Sequence, residues 1–455
     1  MASLTVAPMA TTRSPPAEGD RWRDLKLYAL FAAFGGGASW FGTVLAFMEV
    51  PLYQRHFSGL ELSNRLELGY NCGTVPAAAF LVALGVGWRA SRRSRVGLVL
   101  LLLSTHGACV ALLCVAVPGS PIFGVPALAL AQFLGGSCGY LSQFVCVPYL
   151  VGGFENALVG AFWTGDAFTS VLAAMVALYQ RPGAASPRFG LSVYLLATGP
   201  PVIAASLVAF MSIERTGAGR LAPPATPHGA ATELVTLTPL LPEGGAEQRR
   251  PLAPIDEDKP ADDPEPPPPP GWWRAPYLRD PLTWKLGAVV FWSQFADWGM
   301  GDSVYPYACA NASAHPDVQG CEMWSNELSL FAQFVGCAAA SRVPLDGAKL
   351  AYTLWIPTLV YTGWFGLLLF TSWRASDVLP RLSERGVLVD LVILRFLGPY
   401  ARNVIPRLIQ PCYAKVHHED LPVLFGVLSV LGNVAGSLVA TGLIGIHQFD
   451  YIPGA

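Results

Sequence analysis

Charge is what this chain has least of: Asp, Glu, Lys and Arg make up 13% of its 455 residues, and the formal net charge is -2. A balance that small suggests no nucleic-acid partner, which would need a basic surface to meet phosphates. The spacings that carry chemistry are also missing. The nine cysteines include no CxxC pair and no Cys/His set at metal-ligand spacing, so no metal site is expected. No nucleophile–base arrangement and no phosphate-cradling glycine motif is present, so the sequence implies neither an enzyme nor a cofactor. The first 24 residues, rich in Pro, Thr, Ser and Ala, lack the apolar core of a cleaved signal and are expected to be a disordered cytosolic tail.

What is abundant is apolar surface. Hydrophobic residues make up 53% of the chain and the mean hydropathy is +0.43. The bilayer is therefore its solvent, and an all-α polytopic membrane protein is expected. A spanning helix needs roughly 20 mainly apolar residues. About eleven such runs are present, at 25–49, 67–88, 95–117, 123–149, 157–180, 190–213, 283–308, 325–343, 349–372, 386–411 and 421–446. Six precede a polar insert at 214–280 and five follow it, a 6+5 arrangement of two bundles, 25–213 and 281–446. The insert carries Pro266 to Pro270 unbroken and an acidic cluster from Asp256 to Glu265, too little apolar surface to fold alone.

Lys and Arg near the helix ends set the orientation. Arg21, Arg23 and Lys26, the group Arg89, Arg92, Arg93 and Arg95, and Arg249 with Arg250 all fall on one side, expected to be cytosolic. Arg374, Arg381 and Arg385 oppose this assignment. The loop after the seventh span is then extracellular, and an odd number of crossings places residues 447–455 outside as well. That loop holds the glycosylation acceptor Asn311-Ala312-Ser313 between Cys309 and Cys321, a pair able to close a disulfide in an oxidising compartment.

Repeated halves in transporters place substrate at the midplane, where corresponding helices are interrupted by Gly or Pro. Gly35-Gly36-Gly37 in the first span matches Gly299, Gly301 and Pro306 in the seventh; Gly135-Gly136 and Pro148 in the fourth match Gly398-Pro399 and Pro406 in the tenth. A central cavity lined by spans one, four, seven and ten is expected. Ionisable groups near the bilayer centre cost about 2.5–3.5 kcal/mol each to insert. Asp166, Asp297, Asp302 and Arg402 are the candidates there, serving either a substrate or a packing ion pair. Arg395 and Asp390 are paired or mouth residues, and Arg407 is expected to snorkel. Trp163, Asp166 and Ser170 share one helical face, as do Trp40, Val44 and Phe47, with Glu49 opposite Trp40, at the mouth or against a neighbouring helix.

In the first span, Ala38-Ser39-Trp40 leads to Glu49-Val50-Pro51. Asn71-Cys72-Gly73 follows in the second. Ser142 to Pro148-Tyr149, Phe162-Trp163-Thr164-Gly165-Asp166, Gly299-Met300 with Ser303 and Tyr400-Ala401-Arg402 complete a series spread over both halves. In order and spacing this series resembles the eukaryotic riboflavin transporters. The resemblance implies a major-facilitator-like solute carrier in the plasma membrane that takes up riboflavin by alternating access. The substrate-binding residues would come from Trp40, Val44, Phe47, Asn71, Ser142, Trp163, Asp166, Asp297, Trp298, Ser303 and Arg402. Val44 and Trp298 stand where the family carries Asn. A carrier of another planar or polyhydroxylated solute, and a non-transporting receptor, are the alternatives; interrupted helices favour a carrier, because a receptor needs no cavity.

Overall fold

A computed structural model of the chain describes residues 18–57, 61–85, 92–182, 186–217, 219–220, 276–312, 318–343, 351–373, 382–413, 418 and 420–446. Each of the eleven apolar runs is a helical rod, and several rods are interrupted. In the first half these are α1 (Glu18–Ala38) with α2 (Phe41–Met48) and a short α3 (Val50–Gln54), then α4 (Glu61–Cys72) with α5 (Thr74–Gly85). Next come α6 (Arg92–Val115), α7 (Val125–Gly153), α8 (Asn156–Gln180) and α9 (Leu191–Thr216). The second half opens with α10 (Pro281–Gln294), a π-helical segment Phe295–Gly301 and α11 (Asp302–Ala312). It continues with α12 (Val318–Arg342), α13 (Ile356–Ser372) behind a π-helical turn, α14 (Glu384–Cys412) and α15 (Asp420–Gly445). Among the described residues, five helices are long and apolar enough to cross a membrane alone, and the bent pair α1 and α2 makes a sixth. The remaining rods are interrupted or carry more polar side chains.

The expected interruptions are present in spans one and seven and absent from four and ten. α1 and α2 meet at 61°. Pro148 lies inside an unbroken α7, and Pro399, Pro406 and Pro411 inside an unbroken α14; glycines there serve close packing instead. A break that the sequence reading missed falls at Gly73, between α4 and α5. The boundaries shift too. α1 begins at Glu18, inside the expected tail, and α9 runs to Thr216, where Glu214 pairs with Arg220 at 2.5 Å. Most of the insert, Ser313 and residues 447–455 lie outside the described residues.

Backbone contact through glycine repeats in the two halves. A Cβ on Gly35 would lie 2.0 Å from the Phe162 carbonyl oxygen and one on Gly165 1.8 Å from that of Ala32, so α1 and α8 cross with their main chains touching. Gly299 and Gly436 do the same where the π segment meets α15, with a Cβ reaching 2.5 Å from Asn433 O and 2.3 Å from Phe295 O. Glycine-mediated approach of this kind is how helices gain dispersion contact where lipid gives no hydrophobic drive.

The apolar cores reveal which end is closed. At the end that carries the α7–α8 turn, one continuous cluster draws on both halves, from Phe31, Phe162 and Phe210 to Leu286, Val404 and Leu424. At the other end, which carries Asn311, a cluster around Leu45, Leu113 and Tyr194 takes Leu330 from the second half, with Phe331 packed against it, and another around Val304, Phe365 and Leu391 lies within the second half. The halves are therefore packed shut at the α7–α8 end, with space between them toward Asn311.

Candidate functional site

The site grows out of the broken first helix. Interrupting a helix leaves backbone donors and acceptors unsatisfied, and in a buried setting each needs a partner. His106 of α6 supplies two: Gly42 N donates to its Nε2 at 2.6 Å, and its Nδ1 lies 2.8 Å from the Gly37 carbonyl. Since Nε2 accepts, the proton resides on Nδ1 and the ring is neutral. Asp166 of α8 accepts the backbone N–H of Trp40. Held in this way, the Trp40 indole lies flat on Gly139 of α7, where a Cβ would fall 1.9 Å from a ring carbon. It also packs against Tyr70 and Tyr140 at centroid distances of 5.6 and 5.3 Å.

The seventh span answers with its own break and its own tryptophan. Asp297 and Trp298 both sit in the π segment, opposite α14. Asp297, with a side chain 2% exposed, lies between Arg395 Nη1 at 3.1 Å and Arg402 Nη2 at 3.2 Å. Arg395 also pairs with Asp302 and stacks over the Trp298 ring at 4.2 Å, with Arg402 at 5.7 Å from the same ring. Two cations and two carboxylates thus neutralise one another at low dielectric, where breaking either pair would leave a charge stranded.

Trp40 divides the space between the halves into two chambers. The one toward the Asn311 end holds about 1180 Å³ of empty space and is lined by Trp40, Val44, Phe47, Tyr70, Trp298, Ser303, Tyr305, Asn326 and Arg395 among others. The one toward the α7–α8 end holds about 690 Å³, with Trp40, Gln143, Trp163, Asp166, Gln294, Gln333, Arg402 and Asn403 in its wall. Five buried polar atoms of its wall have no hydrogen-bond partner: Trp163 Nε1, Asp166 Oδ1, Gln333 Oε1, Arg402 Nε and Asn403 Oδ1. Orphaned buried donors and acceptors each cost about 1–3 kcal/mol, and their convergence on one void marks a place built for a polar guest.

Hydrogen bonds join the halves beyond each chamber. Toward Asn311, Ser303 donates to both Glu67 oxygens at 2.9 and 2.7 Å, Asn71 donates to Ser437 at 3.1 Å, and Asn433 donates to Tyr70 at 3.0 Å and Tyr140 at 2.6 Å. At the opposite end, Asn156 donates to the Arg407 carbonyl at 2.7 Å, and Gln410 to those of Val151 and Phe154 at 3.1 and 2.9 Å.

Measured against the residues picked from sequence, Trp40, Val44, Phe47, Trp298 and Ser303 line the larger chamber, and Trp163, Asp166 and Arg402 the smaller. Asp297 holds the two arginines from behind. Ser142, Asn71 and Arg407 differ from expectation, and Glu49 takes the second of its two expected places. Ser142 is buried behind the break, bonded to the Gly139 carbonyl at 2.6 Å and 3.3 Å from Ser39 Oγ. Asn71 faces a lateral groove between α4 and α15. Glu49 is fully buried, which fits the place against a neighbouring helix rather than the mouth. Arg407 does not snorkel; it is buried and donates to the Ala340 carbonyl. Cys309 and Cys321 are joined in a disulfide. Asn311 Nδ2 donates to the Thr371 and Ser372 carbonyls at 3.3 and 3.1 Å. Reasoning from sequence missed His106, Gln333, Asn403 and Glu67. Gln333 is a lone polar residue between apolar neighbours, and there the intramembrane cost was the available signal; His106, Asn403 and Glu67 have polar neighbours in sequence that hid them.

No family model matches the chain, and no curated protein matches it. Solved structures do. The Major Facilitator Superfamily transporter FucP, in its outward conformation, superposes with a TM-score of 0.52 at 13% identity, covering 92% of this chain and 91% of that one. The human organic anion transporter MFSD10 (TETRAN) gives a TM-score of 0.52 at 11% identity, covering 96% of each chain. The fold is therefore an all-α polytopic one of the major-facilitator type. Neither of these two structures is described as a riboflavin transporter.

Proposed function

We propose that the chain is a membrane transporter that carries a small organic solute by alternating access between its two halves, and that the solute is riboflavin. The observation that carries this reading is the convergence of five orphaned polar atoms on one chamber between the halves. Two are donors, on Trp163 and Arg402, and three are acceptors, on Asp166, Gln333 and Asn403. Trp40 and Trp163 add aromatic faces to the same wall. A planar heteroaromatic with alternating donor and acceptor edges satisfies such a set, and the isoalloxazine ring of riboflavin is one. The larger chamber beyond Trp40 offers Ser303, Asn326 and Tyr305 along the path for a polyol tail.

Alternating access is supported by the difference between the two ends. A large apolar core drawn from both halves closes one, whereas the other joins them through hydrogen bonds and a smaller apolar contact at Leu330, so the second is the easier to part. In the orientation set by the arginine clusters, the closed end is cytosolic and the chain faces outward in the plasma membrane. The test is uptake of labelled riboflavin by cells that express the chain at their surface, with excess unlabelled flavin as competitor. Saturable, competed uptake above that of empty cells is the expected result; uptake equal to empty cells removes riboflavin. A second reading, another planar solute on the same scaffold, is favoured by Val44 and Trp298, which stand where the riboflavin transporters carry amides. Competition of that uptake by other planar heteroaromatics distinguishes the two.

A further inference from the structure

A third void opens sideways, between α4 and α15, and holds about 970 Å³ of empty space. Its rim is apolar: Leu68 of α4 is 65% exposed and Leu438 of α15 is 67% exposed, beside Val434 and Ile444. Both helices belong to membrane spans, so the solvent against that rim is lipid. The floor is polar, formed by Glu67, Asn71, Ser303 and Ser437. Glu67 and Ser303 also line the larger chamber, so at this level a single layer of side chains separates the bilayer from that chamber. The seam beside it is held by side chains as well. Ser437 donates to Glu67 Oε1 at 3.2 Å, in addition to the bonds from Ser303 to Glu67 and from Asn71 to Ser437. The glycines that bring main chains together face other partners: a Cβ on Gly69 would meet the Ala129 carbonyl of α7 at 2.8 Å, and Gly436 meets the π segment.

A carboxylate within a span calls for a partner of opposite charge. Glu67 has neutral donors instead: none of the ion pairs among the described residues includes it, and Arg395, the cation that shares the larger chamber, is held by Asp297 and Asp302. Arg65 stands exposed at the groove's rim, two residues from Glu67 and so on a different helix face. We propose that the groove is a lateral entrance to the larger chamber for a membrane-dissolved amphiphile with a primary ammonium head, which Glu67 receives while the alkyl tail lies between Leu68 and Leu438. An ammonium carries three N–H donors, enough to replace those of Ser303 and Ser437. It adds an attraction of opposite charges at low dielectric that the hydroxyls lack. Each hydroxyl it displaces had tied α4 to the second half, so the seam loosens where the guest arrives. The head then meets a chamber whose wall offers Tyr305 and Asn326. The inference adds a second class of guest to the planar solute, and it uses none of the orphaned atoms of the smaller chamber.

The test is photolabelling. The full chain is placed in phosphatidylcholine nanodiscs, whose lipid heads carry no N–H donor, together with a long-chain primary alkylamine bearing a diazirine near its amine, and the labelled residues are mapped by mass spectrometry. The expected result is saturable labelling along the groove and at Val44 or Tyr305, buried residues of the larger chamber, competed by unlabelled alkylamine. The alcohol with the same chain and diazirine is expected to label lipid-facing residues alone. Glu67→Gln is expected to lower chamber labelling about tenfold or more, the worth of one lost bond to a charged group. Leu68→Trp, at an exposed position, is expected to lower it by narrowing the rim with Glu67 intact. Labels confined to lipid-facing residues, equal chamber labelling by amine and alcohol, or chamber labelling unchanged in either variant overturns the proposal. If Glu67→Gln fails to stay monodisperse, Leu68→Trp decides. Because no flavin is added, failure of riboflavin uptake and failure of the lateral entrance are read separately.

Discussion

Replacing Asp297 by Asn removes from the seventh span the charge that holds two arginines of α14, and the consequence follows from the geometry. In the wild type the carboxylate is 3.1 Å from Arg395 and 3.2 Å from Arg402, and its side chain is 2% exposed. The amide is nearly isosteric, so packing is preserved while the counter-ion is lost. Arg395 keeps Asp302, but Asp297 is the ion-pair partner recorded for Arg402, which is left as a cation at a side chain 18% exposed. Stranding one buried charge in this way destabilises by about 3–5 kcal/mol. In domains of 150–250 residues each kcal/mol moves the midpoint by about 2–4 °C, and in a longer chain by less. The apparent midpoint of the purified protein in nanodiscs is therefore expected to fall by several degrees. The double variant Asp297→Asn with Arg402→Gln, which removes the stranded cation as well, is expected to recover much of the loss. A single variant that melts with the wild type, or a double variant less stable than the single, would refute an ion pair as the bond between the π segment and α14.

Three further outcomes are expected. His106→Ala frees the Gly42 N–H and the Gly37 carbonyl within the broken first helix, each costing about 1–3 kcal/mol, so a lowered midpoint together with faster amide exchange at residues 37–42 is expected. Gly139→Ala places a methyl within the Trp40 ring and displaces the partition between the chambers; quenching of tryptophan fluorescence by riboflavin is expected to weaken while overall helicity stays unchanged. Val44→Asn puts an amide on the wall of the larger chamber beside Trp40, and flavin uptake is expected to rise; an unchanged or reduced rate would assign the wall to a different solute.

Individual residues mark how far sequence carries the argument. Trp40, Val44 and Phe47 follow from helical periodicity alone, because one face of a regular helix is fixed by spacing. Asp166, Asp297, Asp302 and Arg402 were legible as intramembrane charges, whose cost demands a partner. Their pairing was not legible, since which carboxylate meets which arginine depends on how two helices more than 90 residues apart in sequence are turned toward each other. Ser142 looked equivalent to the cavity residues and is instead a strut behind the break. Pro148 and Pro399 looked like interruptions and lie within continuous helices.

The sequence by itself determined the solvent and the outline: apolar runs of spanning length, a polar insert between two groups of them, and glycine where main chains must touch. Hydropathy and periodicity are local properties, so they are written in the chain. The tertiary structure decided the site. It set which end is packed shut, that Trp40 divides the space, and that polar atoms from α8, α12 and α14 converge unpartnered on one chamber. It also buried Glu49, which spacing alone had left at a mouth or against a helix. Such meetings depend on the rotation and crossing of whole helices, which are fixed by packing among many side chains at once and by no single stretch of sequence.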